Sequence, residues 1–278
     1  MLSTKQIVVI VGSILLFGIL IMQPIKGLVK KDAVEAPVAA EEAEAFNAAS
    51  VSEISKQGLN ASLKKDIEDL EASLNATSSP EKQEAIHASL AGKWMDVNKP
   101  APAAFHLEAV AKNTSNLANW VKAGDAFSEA IESTQDTVLG GVLIQHAIAS
   151  YSSALELEPD NLDARTGLGS AYVHGTNPMQ GISMLLEVVK EDPDNIKANY
   201  NLGIFSMQSR QFDKAVERFK TVVKQQEDPE SWFYLATSYE NIGLNKEAIE
   251  AFRKSEQLAS DPSLTQFINK KIEELGGK

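Results

Sequence analysis

The chain has 278 residues, and its 38 acidic side chains outnumber its 26 basic ones, which gives a formal net charge of -12. This acidic excess argues against nucleic-acid binding, because contacts to a phosphate backbone depend on clustered Lys and Arg side chains. The sequence contains no cysteine, which excludes disulfides, thiolate catalysis and cysteine-bound metal or iron–sulfur centres.

The N-terminal segment is predicted to anchor the chain in a membrane. Residues 7–22 carry no charge, and the apolar stretch continues to about residue 25, close to the roughly 20 residues that a bilayer-spanning helix needs. We therefore expect residues 1–31 to form an anchor with a span over about 7–25. A cleaved signal peptide is the alternative, but no small-x-small cleavage site follows the apolar core. No other stretch is expected to span.

Charges beside the span bear on its orientation in the membrane. Lys26, Lys30 and Lys31 follow the span, whereas Lys5 precedes it, and positive flanks tend to stay in the cytoplasm. This favours a single-pass protein of a bacterial inner membrane with its remaining domain in the cytoplasm. A short tail before an apolar run also begins periplasmic proteins with uncleaved signal anchors, so that orientation stays open.

Two segments are predicted between the anchor and the main domain. Residues 32–58 are rich in Ala and Glu and are expected to form a solvated linker. Residues 59–83 are expected to form an amphipathic capping helix and a turn, because apolar residues recur there at intervals of four and three, at Leu59, Leu63, Ile67, Leu70 and Leu74. The alternative is a short coiled-coil seam, with self-association through 59–74.

One pattern returns five times along the rest of the chain. Each unit carries a Leu-Gly-like pair, at Leu90-Ala91, Ala123-Gly124, Leu168-Gly169, Leu202-Gly203 and Leu235-Ala236. A small residue follows, where a second helix is predicted to begin, at Ala103, Ala147, Gly181, Ala215 and Ala248. Four residues later stands a larger side chain, at Leu107, Tyr151, Leu185, Phe219 and Phe252. The units are expected to close at prolines, at Pro159, Pro193, Pro229 and Pro262.

This pattern resembles the tetratricopeptide repeat (TPR), whose signature is W-x2-LG-x2-Y followed by A-x3-F-x2-A and a closing proline. The resemblance is strongest over 162–262, where the pairs recur after 34 and then 33 residues. It implies an all-α fold: a right-handed superhelical solenoid of about five helix-turn-helix repeats over 84–262, with a C-terminal capping helix over 263–278. In repeat two the second helix comes late, so residues 128–141 are expected to lengthen the first helix or form a loop.

Candidate chemistry gives no support for an enzyme. The four histidines, at positions 87, 106, 146 and 174, show no metal-ligand spacing. Gly167-Leu168-Gly169 superficially suggests a nucleotide-binding loop, but no strand precedes it, and Gly169 is the helix-contact glycine of its repeat. We expect no catalytic residue, no metal and no cofactor.

The TPR resemblance instead implies a concave groove that binds a peptide or helix of a partner protein. The groove positions of the family fall on Lys122, Asp125, Thr166, Ser170, Lys197, Tyr200, Asn201, Phe233, Tyr234, Thr237 and Asn241. The expected function is a membrane-tethered scaffold or adaptor. The alternative is an exported, chaperone-like assembly factor of the cell envelope.

Overall fold

The computed structural model describes residues 46–277, and every regular element in that range is an α-helix. Helices α1 (Ala48–Ser55) and α2 (Ala61–Ala76) come first. Ten helices then pair into five hairpins: α3 (Pro80–Asp96) with α4 (Pro100–Asn113), α5 (Leu117–Ser133) with α6 (Thr137–Leu157), α7 (Leu162–His174) with α8 (Pro178–Glu191), α9 (Ile196–Gln208) with α10 (Phe212–Gln225), and α11 (Pro229–Asn241) with α12 (Asn245–Leu258). Helix α13 (Pro262–Glu274) is the last. The predicted membrane span over 7–25 lies outside the described residues.

Side-chain caps define where the first helices of the hairpins begin. Asn161, Asn195 and Asp228 each accept a hydrogen bond from a backbone N–H three residues further on, which satisfies one of the free donors at a helix N-terminus. The expectation that Pro229 and Pro262 close the units was wrong, because each is the first residue of the next helix. Proline fits there, since the first helical N–H has no partner within the helix.

Small residues let the two helices of a hairpin approach each other. All five predicted small residues of the second helices are buried, although Ala147 lies in the middle of α6 and not at its start as predicted. Gly203 shows how close the approach is: a Cβ atom there would lie 2.8 Å from the ring of Phe219 in the same hairpin. A larger residue would therefore wedge α9 and α10 apart.

The predicted linker over 32–58 is folded in its last part. Helix α1 begins after the N-cap Asn47 and buries Val51 in the core formed by the first hairpins. Lys56 follows the helix with its ammonium group buried, and it pairs with Glu53 at 2.6 Å and with Glu71 of α2. Ser52 also donates to Glu71. This helix was not predicted from the charged residues of the linker, because the buried charge of Lys56 is neutralised in part by Glu71 of the next helix.

The apolar stripe of α2 packs inside the chain. Ile67 is fully buried, and it lies in one cluster with Leu90, Trp94 and Ala103 of the first hairpin. Leu70 and Leu74 pack against the same cluster. The stripe is therefore used as a cap on the solenoid, which leaves no comparable apolar seam on α2 for a coiled-coil dimer.

The extra residues of the second hairpin are almost all helical. Helix α5 continues to Ser133, and α6 begins at Thr137 and runs for 21 residues. The insertion over 128–141 thus lengthens both helices, with a short turn whose Asp136 caps α6. This hairpin is longer than its neighbours, and α5 consequently reaches towards later repeats.

Helix α6 is long and apolar enough to cross a membrane by length and composition, contrary to the expectation that no second stretch would be. A core helix of a folded domain satisfies the same criterion. Leu143, Ala147, Tyr151 and Ala154 of α6 are buried in the main hydrophobic cluster together with residues of α5 and α7. Packing therefore accounts for part of the apolar composition of this helix, of whose apolar window 33% is buried.

Helix α13 closes the C-terminal end of the described solenoid. Ile268 and Ile272 are buried in one cluster with Ala248 and Phe252 of the last hairpin. On its polar side, Lys271 pairs with Glu240 at 2.9 Å. The helix has the amphipathic character expected of a cap, with an apolar face on the core and a charged face towards water.

Candidate functional site

The first helices of hairpins two to five line one open pocket of about 540 Å³. Helices α5, α7, α9 and α11 supply most of its wall, and one residue of α6, Tyr151, forms part of its floor. The inserted length of α5 places Glu132 in the same pocket as Glu230 of α11, three hairpins later in the solenoid. The pocket is therefore a property of several repeats together.

Six of the eleven residues predicted for the groove line this pocket: Asp125, Thr166, Ser170, Lys197, Tyr200 and Asn201. Two pairs of them interact between helices of the wall, one between the adjacent α7 and α9 and one between α9 and α5. The Ser170 hydroxyl donates to Asn201 Oδ1 at 3.3 Å, and Lys197 Nζ lies 3.7 Å from Asp125 Oδ1. Polar side chains of successive repeats thus converge on one space.

Thr166 differs from the exposed groove residue that the TPR resemblance implies. Its side chain is buried, with a relative exposure of 1%, at the back of the pocket. The Thr166 hydroxyl has no hydrogen-bond partner within the described chain. Asp228 Oδ2, in the same pocket wall, also lacks one.

The other five predicted residues, Lys122, Phe233, Tyr234, Thr237 and Asn241, do not line the pocket. Phe233 faces the C-terminal end instead, where its ring contacts Phe252 at 5.7 Å and Phe267 at 5.9 Å between centroids. The Asn241 amide donates to the backbone carbonyl of Thr237. Lys122 is exposed. Tyr234 adjoins the pocket, because its hydroxyl donates to Glu230 at 2.8 Å.

Tyr151 is a pocket residue that was predicted as part of the repeat pattern and not as part of the groove. Its ring fills a notch between two glycines, since a Cβ on Gly124 or Gly167 would lie 2.6 or 2.2 Å from its ring atoms. The Tyr151 hydroxyl reaches the pocket, donates to Asp125 at 2.9 Å and lies 3.2 Å from the Ser128 hydroxyl. Burial raises the pKa of this phenol, and the Asp125 carboxylate raises it further. Tyr151 is therefore a neutral hydrogen-bond donor held in place.

Most of the acidic wall of the pocket was not among the residues predicted for the groove. Glu129, Glu132, Asp163 and Glu230 all line it. The TPR resemblance assigns the groove to particular positions of each repeat. Asp163 and Glu230 stand at the second position of their repeats and Glu129 at the thirteenth, and both are groove positions. These three carboxylates can therefore be found from the repeat positions alone. Glu132 cannot, because it lies in the inserted part of α5 and matches no groove position of the other repeats.

The crowded carboxylates perturb one another. Partial burial raises the pKa of Glu132, and the carboxylates of Glu230 and Glu129 raise it further. Burial and Glu230 also raise the pKa of Tyr234, to about 12. Burial is the main cause of both pKa shifts, and the locally negative potential adds to it, because a further negative charge is unfavourable there.

The histidines do not contribute to this pocket. His87 and His106 meet near the first hairpin with their Nδ1 atoms 3.0 Å apart, and His146 Nδ1 lies 2.9 Å from a Glu108 carboxylate oxygen. Over residues 46–277, no group of three or more His, Asp or Glu side chains is arranged to hold a metal ion. The contacts of these three histidines are with neighbouring packed residues.

Comparison with known proteins relates the C-terminal repeats to a family. Residues 200–263 match the tetratricopeptide repeat family. Over 123 residues, the chain is 24% identical to the peroxisomal targeting signal receptor of Saccharomyces cerevisiae, a match that covers 40% of this chain and 20% of the receptor. The chain thus spans about a fifth of the length of that curated relative.

One solved structure of a TPR protein has the same fold. A thermophilic TPR protein of Thermus thermophilus is 18% identical, with 68% of this chain and 98% of that chain covered and a TM-score of 0.53. The MamA protein is 20% identical, with coverages of 64% and 92% and a TM-score of 0.44. The first of these supports the fold. Residues 200–263 therefore carry tetratricopeptide-repeat sequence, and the described chain is an all-helical solenoid of the TPR type.

Proposed function

We propose that this chain is a membrane-tethered adaptor that binds a peptide or helical segment of a partner protein in the pocket formed by α5, α7, α9 and α11. The observation that carries the proposal is the convergence of Ser170, Lys197, Tyr200 and Asn201, from successive first helices, on one open space. Hydroxyl, amide and phenol groups in such a space can bond a peptide backbone and contact its side chains.

The comparisons support binding to a protein. TPR solenoids act mainly by presenting concave surfaces to other proteins, and the curated relative is named as a receptor for a targeting signal. The fold alone does not specify a partner, because one fold serves many functions. The membrane tether rests on the apolar segment over 7–25, and the adaptor would hold its partner close to the bilayer.

Site-specific crosslinking tests this function, since a chain without cysteine gives any introduced cysteine a unique thiol. Ser170→Cys places a thiol in the pocket wall, and Ser183→Cys places one on an exposed position of α8 outside it. Both full-length variants are labelled with the same photoreactive maleimide in native membranes. We expect a partner segment to crosslink through position 170 and not through 183. Equal crosslinking from both positions would place recognition outside the pocket.

A further inference from the structure

The pocket carries a strong excess of negative charge. Six carboxylates line it, those of Asp125, Glu129, Glu132, Asp163, Asp228 and Glu230, whereas Lys197 is the one cationic side chain among the lining residues. Lys197 lies near Asp125, at 3.7 Å. Among the lining residues, no cation is paired with Glu129, Glu132 or Glu230. The pocket is therefore short of positive charge at the end formed by α5 and α11.

A second observation points to an absent ligand. Thr166 is buried and lines the pocket, yet its hydroxyl has no partner among residues 46–277. Buried polar groups in folded proteins nearly always have a hydrogen-bond partner. Asp228 Oδ2 lacks a partner in the same wall. Both residues line the pocket that a ligand with hydrogen-bond donors would occupy.

The spacing of the carboxylates indicates which kind of cation the pocket can bind. In the part of the chain that the structure describes, no three carboxylate or histidine side chains are close enough to hold a metal ion. Carboxylates spread around a pocket of about 540 Å³ suit an extended organic cation with several N–H donors, as in an Arg or Lys side chain. Tyr200, which is partly exposed in the pocket wall, adds aromatic surface against which such a cation can lie.

The geometry points to a pocket that selects a basic peptide: a partner segment whose Lys or Arg side chain enters between Glu129, Glu132 and Glu230. This inference rests on the proposed function and specifies the ligand of the same site. The guanidinium or ammonium group supplies the missing positive charge, and the adjoining peptide lies along Ser170 and Asn201. An acidic segment would be repelled, because carboxylates around the pocket oppose a further negative charge.

The test uses the full-length chain in detergent and a phage-displayed library of random dodecapeptides as the probe. We expect the enriched peptides to share a Lys or Arg. The most enriched peptide is then synthesised with its basic residue replaced by a neutral analogue, citrulline for Arg or acetyl-lysine for Lys. This replacement should weaken binding by about tenfold or more, the usual effect of losing a charge-assisted hydrogen bond. Glu132→Gln should weaken the unmodified peptide by about as much.

Matched variants separate pocket charge from net charge. Glu217→Gln removes one carboxylate from an exposed position of α10 outside the pocket, and it should leave affinity within about twofold because distant surface charges are screened. Glu132→Gln should melt no lower than the wild type, since it removes a carboxylate that Glu230 and Glu129 repel. Loss of peptide binding in that variant then cannot come from unfolding.

The outcomes distinguish this inference from the function on which it rests. Suppose that labelling of Ser170→Cys blocks the binding of selected peptides that lack basic residues, or of peptides whose affinity Glu132→Gln does not change. In either case the pocket binds peptides, and the inference of a basic ligand is wrong. If Glu217→Gln weakens binding as much as Glu132→Gln, attraction to overall charge explains the data and the inference is again wrong. If no selected peptide is blocked by the label at position 170, both the inference and the proposed function fail.

Discussion

The rings of Tyr200 and Tyr234 meet edge to face between the fourth and fifth hairpins, with their centroids 6.1 Å apart and an interplanar angle of 68°. Tyr234 also stacks on the buried ring of Phe219, at 5.5 Å. The two tyrosines therefore belong both to the border of the pocket and to the packing between α9 and α11. Their aromatic rings and their hydroxyl groups are expected to serve different purposes.

Tyr200→Ala combined with Tyr234→Ala should abolish capture of a pocket ligand, since truncation of aromatic anchors costs roughly 1 to 4 kcal/mol of binding each. The same double variant should also melt at a lower temperature, because it removes packing against Phe219. The corresponding double Phe variant keeps the rings and should retain the wild-type melting temperature. Crosslinking through position 170 and circular dichroism melts measure the two effects. Undiminished crosslinking in the double Ala variant would exclude these tyrosines from recognition.

Gly203→Leu should destabilise the domain by roughly 2 to 4 kcal/mol, because a side chain there collides with Phe219 and overpacks the α9–α10 contact. Gly92→Leu is the matched control, since Gly92 lies in α3 with no atom near the position of a Cβ. That variant should gain about 0.5 to 1 kcal/mol from helix propensity. Urea unfolding monitored by circular dichroism compares the two. Equal stability of both variants would refute the assigned repeat register.

Acid should weaken the first hairpin through His106. Burial lowers the pKa of His106 to about 4, and the nearby His87 contributes to this shift. The unfolded chain takes up this proton near the ordinary histidine pKa, whereas the folded chain does not, so stability is lost as the pH falls below that value. The loss between pH 7 and pH 5 should be about 2 kcal/mol.

His106→Gln removes this group, so its free energy of unfolding should fall by less than that of the wild type over the same interval. Denaturant titrations of both proteins at pH 7 and pH 5 give the comparison. The same acid-induced loss in both would show that other groups cause it.

The flanking lysines should control membrane orientation. A reporter fused after Lys278 is expected to be active in the cytoplasm, because Lys26, Lys30 and Lys31 follow the predicted span. Replacing these three lysines with Gln should weaken or reverse that orientation. Activity in the periplasm alone for the unmodified fusion would favour the exported assembly factor over the cytoplasmic adaptor. The peptide-binding proposal would stand in either compartment.

The fold was predictable from the sequence where a single residue type is required by the local packing. Ala215 and Ala248 are buried at helix crossings that exclude larger side chains, and periodic Leu residues place the apolar stripe of α2 on the first hairpin. Helix α1 escaped prediction because it depends in part on a distant partner: the buried ammonium of Lys56 pairs with Glu71 of α2 as well as with the nearby Glu53. Such a pairing leaves no signal in a local window.

The candidate site was predictable only in part, for a similar reason. Repeat positions identify which residues face inward, and they located Ser170, Tyr200 and Asn201 in one pocket. The same positions cannot show how far the lengthened α5 extends, and so they gave no indication that Glu132 meets Glu230. The acidic character of the pocket arises from that three-dimensional proximity.

The ring of Tyr151, held between Gly124 and Gly167, sets the spacing of α5 and α7 at the floor of the pocket. Other side chains around the opening can change rotamer, but this ring cannot move without breaking the contact between two hairpins. The separation of α5 and α7 at the floor of the pocket is therefore set by the thickness of the Tyr151 ring. We expect a ligand that is too broad for this floor to displace the Tyr151 ring and so to strain the contact between the two hairpins.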